Sequence, residues 1–221
     1  MSLNQNQIKR KYNRFSLFYD LLEWPVEKLW YSKWRQRLLK KTKNEVLEIG
    51  VGTGRNLQYY NYNQVNLTAT EISSGMLEKA KEKARKNNYQ VNFKLINSEK
   101  LPFKDNRFDY IVCTFVLCSV TNQNKMLKEM KRVLKNRGKI LLLEHVLSKN
   151  KIIAFLENLH NPITKYLFGY NINRNTIKNI KKSGLKLIKQ KNLGLKDVYK
   201  ELEVMKNNEK NKYKNIRYDL F

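Results

Sequence analysis

Three glycines stand at alternate positions in the segment EIGVGTG, residues 48–54, directly behind the apolar run Val46, Leu47 and Ile49. A residue without a Cβ adopts positive φ and lets a ligand touch the main chain, so such a loop suits close approach. It also turns a strand into a following helix, whose N-terminus then faces whatever is bound. The spacing is G-x-G-x-G, which differs from the G-x-G-x-x-G of dinucleotide folds. Glu71 lies 21 residues past Gly50, at the end of a second apolar run. A carboxylate there offers two oxygens to the paired hydroxyls of a ribose. The glycine loop alone is a weak signal, but with a correctly placed acid inside an alternating pattern it is a strong one.

These residues need a sheet to hold them. From Glu45 onward, apolar runs predict strands over 45–49, 66–70, 91–96, 108–115 and 139–146, separated by helices over about 54–61, 73–87 and 122–135. Strict alternation means a parallel sheet covered on both faces, with ligands bound beyond the carboxyl ends of its strands. After Leu147 the pattern changes: 150–169 and 174–183 read as helices, Gly184 as a stop, and 185–192 and 197–205 as two last strands. Ahead of the alternation, Ile8, Tyr12, Phe15, Tyr19 and Leu22 recur at helical spacing. Val26, Leu29, Trp30, Trp34 and Leu38 follow Pro25 in the same way, which predicts a second helix. The expected division is an N-terminal helical segment 1–42, a ligand-binding domain 43–206 with a helical insertion over about 150–183, and a polar tail 207–221 that frays or packs loosely.

Composition bounds the function classes. The chain has 221 residues, 41% of them hydrophobic, enough for one domain with a substantial core and against global disorder. Forty-five Lys and Arg against nineteen Asp and Glu give a formal charge of +26. That points to an anionic partner, whether nucleic acid, a phospholipid surface or an acidic metabolite. A coding bias that favours Lys, Asn, Ile and Tyr gives the same balance with no partner at all, and the basic residues are spread along the chain. Cys113 and Cys118 share one apolar run without metal-ligand spacing, so neither a disulfide nor a metal is expected and a reducing, cytoplasmic compartment fits. The apolar stretch Tyr110–Val120 is too short to span a bilayer, and no signal-peptide pattern opens the chain.

With loop, acid and strands in place, the chain resembles the class I S-adenosylmethionine-dependent methyltransferases. VLEIGVGTGRNL is similar to their first motif, LTATEISSGMLEKAKEKA to the second, and NSEKLPFKDNRFDYIVCTFVLCSV to the third and fourth. MLKEMKRVLKNRGKILLLEHV is similar to their final helix–turn–strand, and the likeness covers roughly residues 12–205. It implies an α/β, Rossmann-like, seven-stranded, mostly parallel sheet in the order 3-2-1-4-5-7-6, with the last strand antiparallel, helices on both faces and an N-terminal helical lid. It also implies S-adenosyl-L-methionine as cofactor and S-adenosyl-L-homocysteine as product. Carried over by position, Glu48, Gly50, Gly52, Thr53 and Gly54 surround the methionine moiety, and Thr114 faces it from strand four. Glu71 holds the ribose, with Ile72 and Met76 beside the adenine. The family usually has an acid for the adenine amino group where this chain has Asn97 and Ser98; the Asn97 side-chain oxygen can still accept that bond.

Within the family, RNLQYY, FVLCSV, LLLEHV and NPITKYLFGYNINRNT resemble a subgroup of bacterial phosphatidylethanolamine N-methyltransferases and membrane-associated thiol methyltransferases. KYNRFSLFYD is similar to the opening of the ubiquinone/menaquinone C-methyltransferases. The expected acceptor is therefore small or amphipathic, with a phospholipid head-group amine first and a thiol or quinone ring next. Asn173 and Arg174 are candidate phosphate contacts, although an Asn followed by a charge is also an ordinary helix start. An amine acceptor needs a base, for which His145 and Tyr19 are candidates; His145 reads equally as a structural histidine. His160, Cys113 and Cys118 read as structural. Residues 8–40 interleave Lys9, Arg10, Lys11 and Arg14 with Tyr12, Phe15 and Phe18, and are expected to close the site and touch anionic lipid peripherally. Two alternatives stay open. An RNA methyltransferase is favoured by charge alone, since no N-P-P-Y-type loop or added RNA-binding module is present. A non-catalytic cofactor-binding module is hinted at by Asn97.

Overall fold

The computed structural model describes residue 7 and residues 27–168 and 170–207. Seven strands form one sheet: β1 (Asn44–Ile49), β2 (Val65–Glu71), β3 (Val91–Leu95), β4 (Phe108–Thr114), β5 (Leu134–His145), β6 (Leu185–Gly194) and β7 (Tyr199–Lys206). Their order is β3-β2-β1-β4-β5-β7-β6, as the family resemblance implied. The first five pair in parallel, and β7 runs antiparallel to both β5 and β6. Among the described residues, the helices are α1 (Ser32–Leu39), α2 (Ser74–Lys86), α3 (Gln123–Val133), α4 (Lys151–Phe168) and α5 (Thr176–Lys182).

Local chemistry sets these limits. Parallel neighbours need a crossover, and α2 and α3 supply those from β2 to β3 and from β4 to β5. Side-chain oxygens cap both starts: Ser73 accepts from the Met76 amide and Asn122 from the Lys125 amide. On α3, Met126, Leu127, Met130 and Val133 fall on one face and are fully buried. The central strands feed two hydrophobic clusters, with Cys113 and Leu142 in one and Val112 and Leu141 in the other. Successive side chains point to opposite faces, so a strand covered on both sides must be apolar throughout.

Three expectations are corrected. The helix expected over 54–61 is a single 3₁₀ turn, Leu57–Tyr59, because Tyr60 is already extended (ψ 142°). β5 begins at Leu134 rather than 139: Leu134 pairs with Phe108, and an irregularity follows before Lys139 pairs with Tyr110. The described end of the expected N-terminal lid, a π-type turn at Glu27–Tyr31 leading into α1, is partly core. Trp34, Leu38 and Leu39 are buried, and Arg37 and Lys41 each reach a Glu201 carboxylate oxygen on β7 at 2.6 Å. Lys41 also pairs with Glu203. The candidate base Tyr19, with the basic aromatic run over 8–26, lies outside the described residues, as does most of the expected tail.

Candidate active site

The carboxyl ends of β1, β2 and β4 open on a cleft, the place where open α/β sheets bind ligands. The glycine loop and Glu71–Ile72 form one side, and the segment from Thr114 to Thr121 forms much of the other. Gly50, Gly52 and Gly54 all have positive φ, yet each answers a different need. A Cβ on Gly50 would run into the Val116 side chain, and one on Gly54 would come within 2.8 Å of Leu57 and 3.2 Å of the Ala80 Cα. A Cβ on Gly52 would meet nothing within 4 Å. The outer glycines let the loop pack; the middle one, which lines the cleft, leaves room for something else.

Glu71 ties this loop to the end of β2. Its Oε2 accepts from the Gly52 amide at 3.0 Å, and its Oε1 accepts from the amides of Ile72 (2.9 Å) and Ser73 (3.0 Å). Burial pushes the carboxyl upward from its ordinary value while the three amides oppose that shift. Oε1 thereby fills both of its acceptor positions, and Oε2 keeps one for a ligand hydroxyl. Ile72, Met76, Asn97 and Ser98 line the same cleft. The Asn97 side-chain oxygen accepts from the Glu99 amide at 2.9 Å.

Glu48, Thr53 and Gly54 do not line the cleft; Glu48 belongs instead to a buried polar network beneath it. Asn56 donates to Glu48 Oε1 at 2.8 Å and to the Thr114 hydroxyl at 3.1 Å. Arg35 of α1 donates to Asn56 (2.9 Å), Thr114 (2.8 Å) and Glu27 (2.9 Å). Burial pushes Glu48 up to about 7, against the pull of Asn56 and the nearby Arg35 charge. The network fastens α1 to the ends of β1 and β4. Thr114 lines the cleft, and its hydroxyl is held by this network.

Beyond Thr114, Phe115 sits at φ +59°, a strained conformation for an aromatic residue. Glu144, buried near the end of β5, holds the turn: its Oε1 accepts from the amides of Val116 (3.1 Å) and Leu117 (3.0 Å). Burial pushes this carboxyl also up to about 7. The clasp presents Phe115 and Val116 to the cleft, while the Phe115 ring packs against Tyr31 at 4.7 Å and Tyr199 at 6.2 Å between centroids. Arg35, Asn56, Phe115 and Glu144 escaped the sequence reading. The available signal was an acid interrupting an apolar run near a strand end, in VLEIG and again in LLLEHV.

The other candidates lie outside the cleft. His145 packs edge-on against Tyr199 at 5.3 Å, with its Nε2 3.6 Å from Glu157 of α4. Burial pushes its imidazole down to about 4, so it is neutral at physiological pH. Arg174 donates to the Val120 carbonyl at 2.7 Å, and Asn173 donates to Asn158 at 2.9 Å. The helix start that follows is capped by Asn175. His160 is exposed on α4, and Cys113 and Cys118 are buried free thiols.

Comparison with known proteins follows this geometry. Residues 47–142 match the family model described as a methyltransferase domain. The chain is 33% identical over 159 residues to the ubiquinone/menaquinone biosynthesis C-methyltransferase UbiE of Rickettsia typhi, covering 68% of this chain. It spans 64% of that relative's length, and 56% of the corresponding protein of Rickettsia felis. In structure it is similar to the [4+2]-cyclase SpnF, with a TM-score of 0.76, 14% identity, and coverage of 93% of this chain and 97% of that one. It is also similar to geranyl diphosphate C-methyltransferase from Streptomyces coelicolor A3(2), solved with Mg2+, geranyl diphosphate and S-adenosyl-L-homocysteine (TM-score 0.63, 12% identity, coverage 79% and 78%). At those identities the structural likenesses bear on the fold alone. The matched domain, the sheet order and the glycine–carboxylate cleft agree: this chain carries a class I S-adenosylmethionine-dependent methyltransferase domain.

Proposed function

We propose that the chain methylates a small amphipathic acceptor, with a reduced quinone-type ring as the first choice. The observation that carries this reading is the cleft, with an open Gly52 position and the Glu71 carboxylate on one side and Phe115, Val116 and Val120 on the other. S-adenosylmethionine, when bound, supplies a sulfonium-activated methyl group. Glu71 would accept from a ribose hydroxyl through Oε2, Ile72 and Met76 would flank the adenine, Asn97 and Ser98 would meet its polar edge, and the loop at Gly50–Gly52 would border the methionine end. Phe115 and Val116 would then shape the acceptor side and exclude water. Orienting the acceptor within about 3–3.5 Å of the methyl carbon can contribute about 7–11 kcal/mol.

Glu71 is the only titratable residue among the described residues lining the cleft. The acceptor's nucleophilicity must then come from its own ionisation or from residues beyond that lining, and an ionised hydroquinone ring meets the first condition. Likeness to the UbiE proteins supports the same choice. A phospholipid head-group amine is the second reading, favoured by the basic chain; Arg174 would have to leave the Val120 carbonyl to meet its phosphate. The test is a labelled methyl-transfer screen over demethylated quinols, phosphatidylethanolamine, alkyl thiols and bulk RNA. Transfer to a ring carbon of the quinol is expected. Transfer to phosphatidylethanolamine selects the second reading, and transfer to RNA alone overturns both.

A further inference from the structure

Helix α4 is an anomaly in this fold. It carries six large apolar side chains, Ile152, Phe155, Leu156, Leu159, Ile163 and Tyr166, at spacings that put them on one face, and their exposure runs from 47% at Leu156 to 78% at Tyr166. None of the helix's described side chains belongs to either hydrophobic cluster. What holds α4 down is polar. Glu157 accepts from the Ser148 amide at 2.9 Å, Asn161 from the Ile172 amide at 2.9 Å, and Asn158 from Asn173. A contiguous apolar face of this kind marks an interaction site.

We propose that this face lies in the surface of an anionic phospholipid bilayer, with the helix axis parallel to the membrane plane. The stripe from Ile152 to Tyr166 is about 21 Å long at 1.5 Å per residue, and a bilayer surface offers an apolar medium along its whole length. Charge points the same way. The only acid on α4, Glu157, is turned inward and buried, while Lys149 and Lys151 are exposed at the helix start. The β6–β7 turn adjoins that start, because Asp197 accepts from the Ser148 hydroxyl and from the Lys149 amide at 2.9 Å. That turn holds Leu195 and Lys196 at positive φ, with Leu195 59% exposed and Lys196 exposed beside it. No described helix is long and apolar enough to cross a membrane, so the contact is interfacial. The segment beneath α4 reaches the cleft wall, since Asn171 donates its amide to the Cys118 carbonyl and Arg174 donates to that of Val120. A docked helix would thus stand over the rim by which an amphipathic acceptor enters. Docking is independent of which acceptor is methylated.

The test uses the full chain and sedimentation with phosphatidylcholine vesicles, with and without phosphatidylglycerol, at low and high salt. Wild type should bind the phosphatidylglycerol vesicles and release at high salt. The triple variant Phe155→Ser, Leu159→Ser, Ile163→Ser should bind them at least about tenfold more weakly, because interfacial affinity scales with buried apolar area, while keeping its S-adenosylhomocysteine affinity. An environment-sensitive fluorophore on Phe155→Cys should shift to the blue with those vesicles, the two native thiols being buried. Unchanged vesicle binding by the triple variant, or no shift from the fluorophore, overturns the proposal. So does loss of a wild-type dimer in that variant without any vesicle effect, which would make the occupant a second copy. A large drop in melting temperature, again without a vesicle effect, would assign the face to the chain's own residues 1–26 and equally overturn it.

Discussion

Replacing Glu71 by alanine tests the cofactor cleft at its most loaded point. The carboxylate accepts three backbone amides and retains one acceptor position, on Oε2. Bonds to a charged acceptor contribute roughly 1.5–3 kcal/mol, so affinity for S-adenosylhomocysteine should fall about 10- to 100-fold. The same change leaves the Gly52, Ile72 and Ser73 amides without their acceptor. Water entering the open cleft can satisfy part of that loss, so the unliganded chain should lose about 1–3 kcal/mol of stability. Glutamine separates the two effects poorly. It keeps the shape, but its NH₂ must face either the Gly52 amide or the Ile72–Ser73 pair, donor against donor. Aspartate keeps the charge but is one methylene too short to serve both sides. The expected order of affinity is glutamate, aspartate, then glutamine and alanine together. Titration calorimetry with S-adenosylhomocysteine at neutral pH, alongside thermal melting, reads both quantities. A change in affinity under about twofold for the alanine variant would show that Glu71 does not meet the ribose.

Other outcomes follow from the same geometry. Gly52→Val should abolish S-adenosylhomocysteine binding by filling the open position, at a stability loss of about 1–2 kcal/mol for a branched residue at positive φ; unaltered binding by calorimetry would refute the assignment. Glu144→Gln should keep both amide bonds through its single oxygen while removing a carboxyl held near 7. A folded-state value above the ordinary 4.5 gives stability that is complete below pH 4.5 and lost as pH rises through 7. The variant should therefore gain on wild type by up to about 3 kcal/mol between acid and neutral pH; melting curves with a constant difference across pH would refute this. Arg35→Met strips the buried network of its cation and should destabilise the chain by about 3–5 kcal/mol, with little rescue by lysine, whose single ammonium lacks the guanidinium fork. Chemical denaturation showing a loss below about 1 kcal/mol would mean that the network contributes no more than a surface ion pair.

Strands β1 to β4 were legible almost to the residue because a strand buried on both faces is an unbroken apolar run. The glycine loop and Glu71 were legible as parts of the cleft for a related reason: tight packing and close approach demand glycine, and an acid at the end of an apolar strand stands out. The start of β5 was missed because Lys135, Asn136, Arg137 and Gly138 carry no strand pattern. Arg35 was invisible among forty-five basic residues, since only the fold brings it beside Asn56 and Thr114. Nothing in an aromatic side chain announces a left-handed backbone, so the turn at Phe115 emerged only with Glu144 beneath it. The basic, aromatic N-terminal run suggested a lipid contact, whereas the described apolar surface is on α4, whose spacing alone fits a buried helix as well as an exposed one.

The place of β7 has a consequence for how the chain is made. Among the described strands it is penultimate in space but last in sequence, inserted between β5 and β6, and its Glu201 and Glu203 receive Arg37 and Lys41 from the first described helix and the turn after it. During synthesis β5 emerges with one edge unpaired and keeps it open until residues 199–206 have left the ribosome. Over that interval an apolar strand waits with its backbone donors and acceptors exposed, the condition under which nascent chains associate wrongly. Arg37 of α1 and Lys41 beyond it, made earlier, cannot complete their ion pairs until β7 has emerged. A ribosome stalled before Tyr199 would therefore hold a chain that carries the glycine loop, Glu71 and the Phe115 turn, yet lacks the strand that closes the sheet.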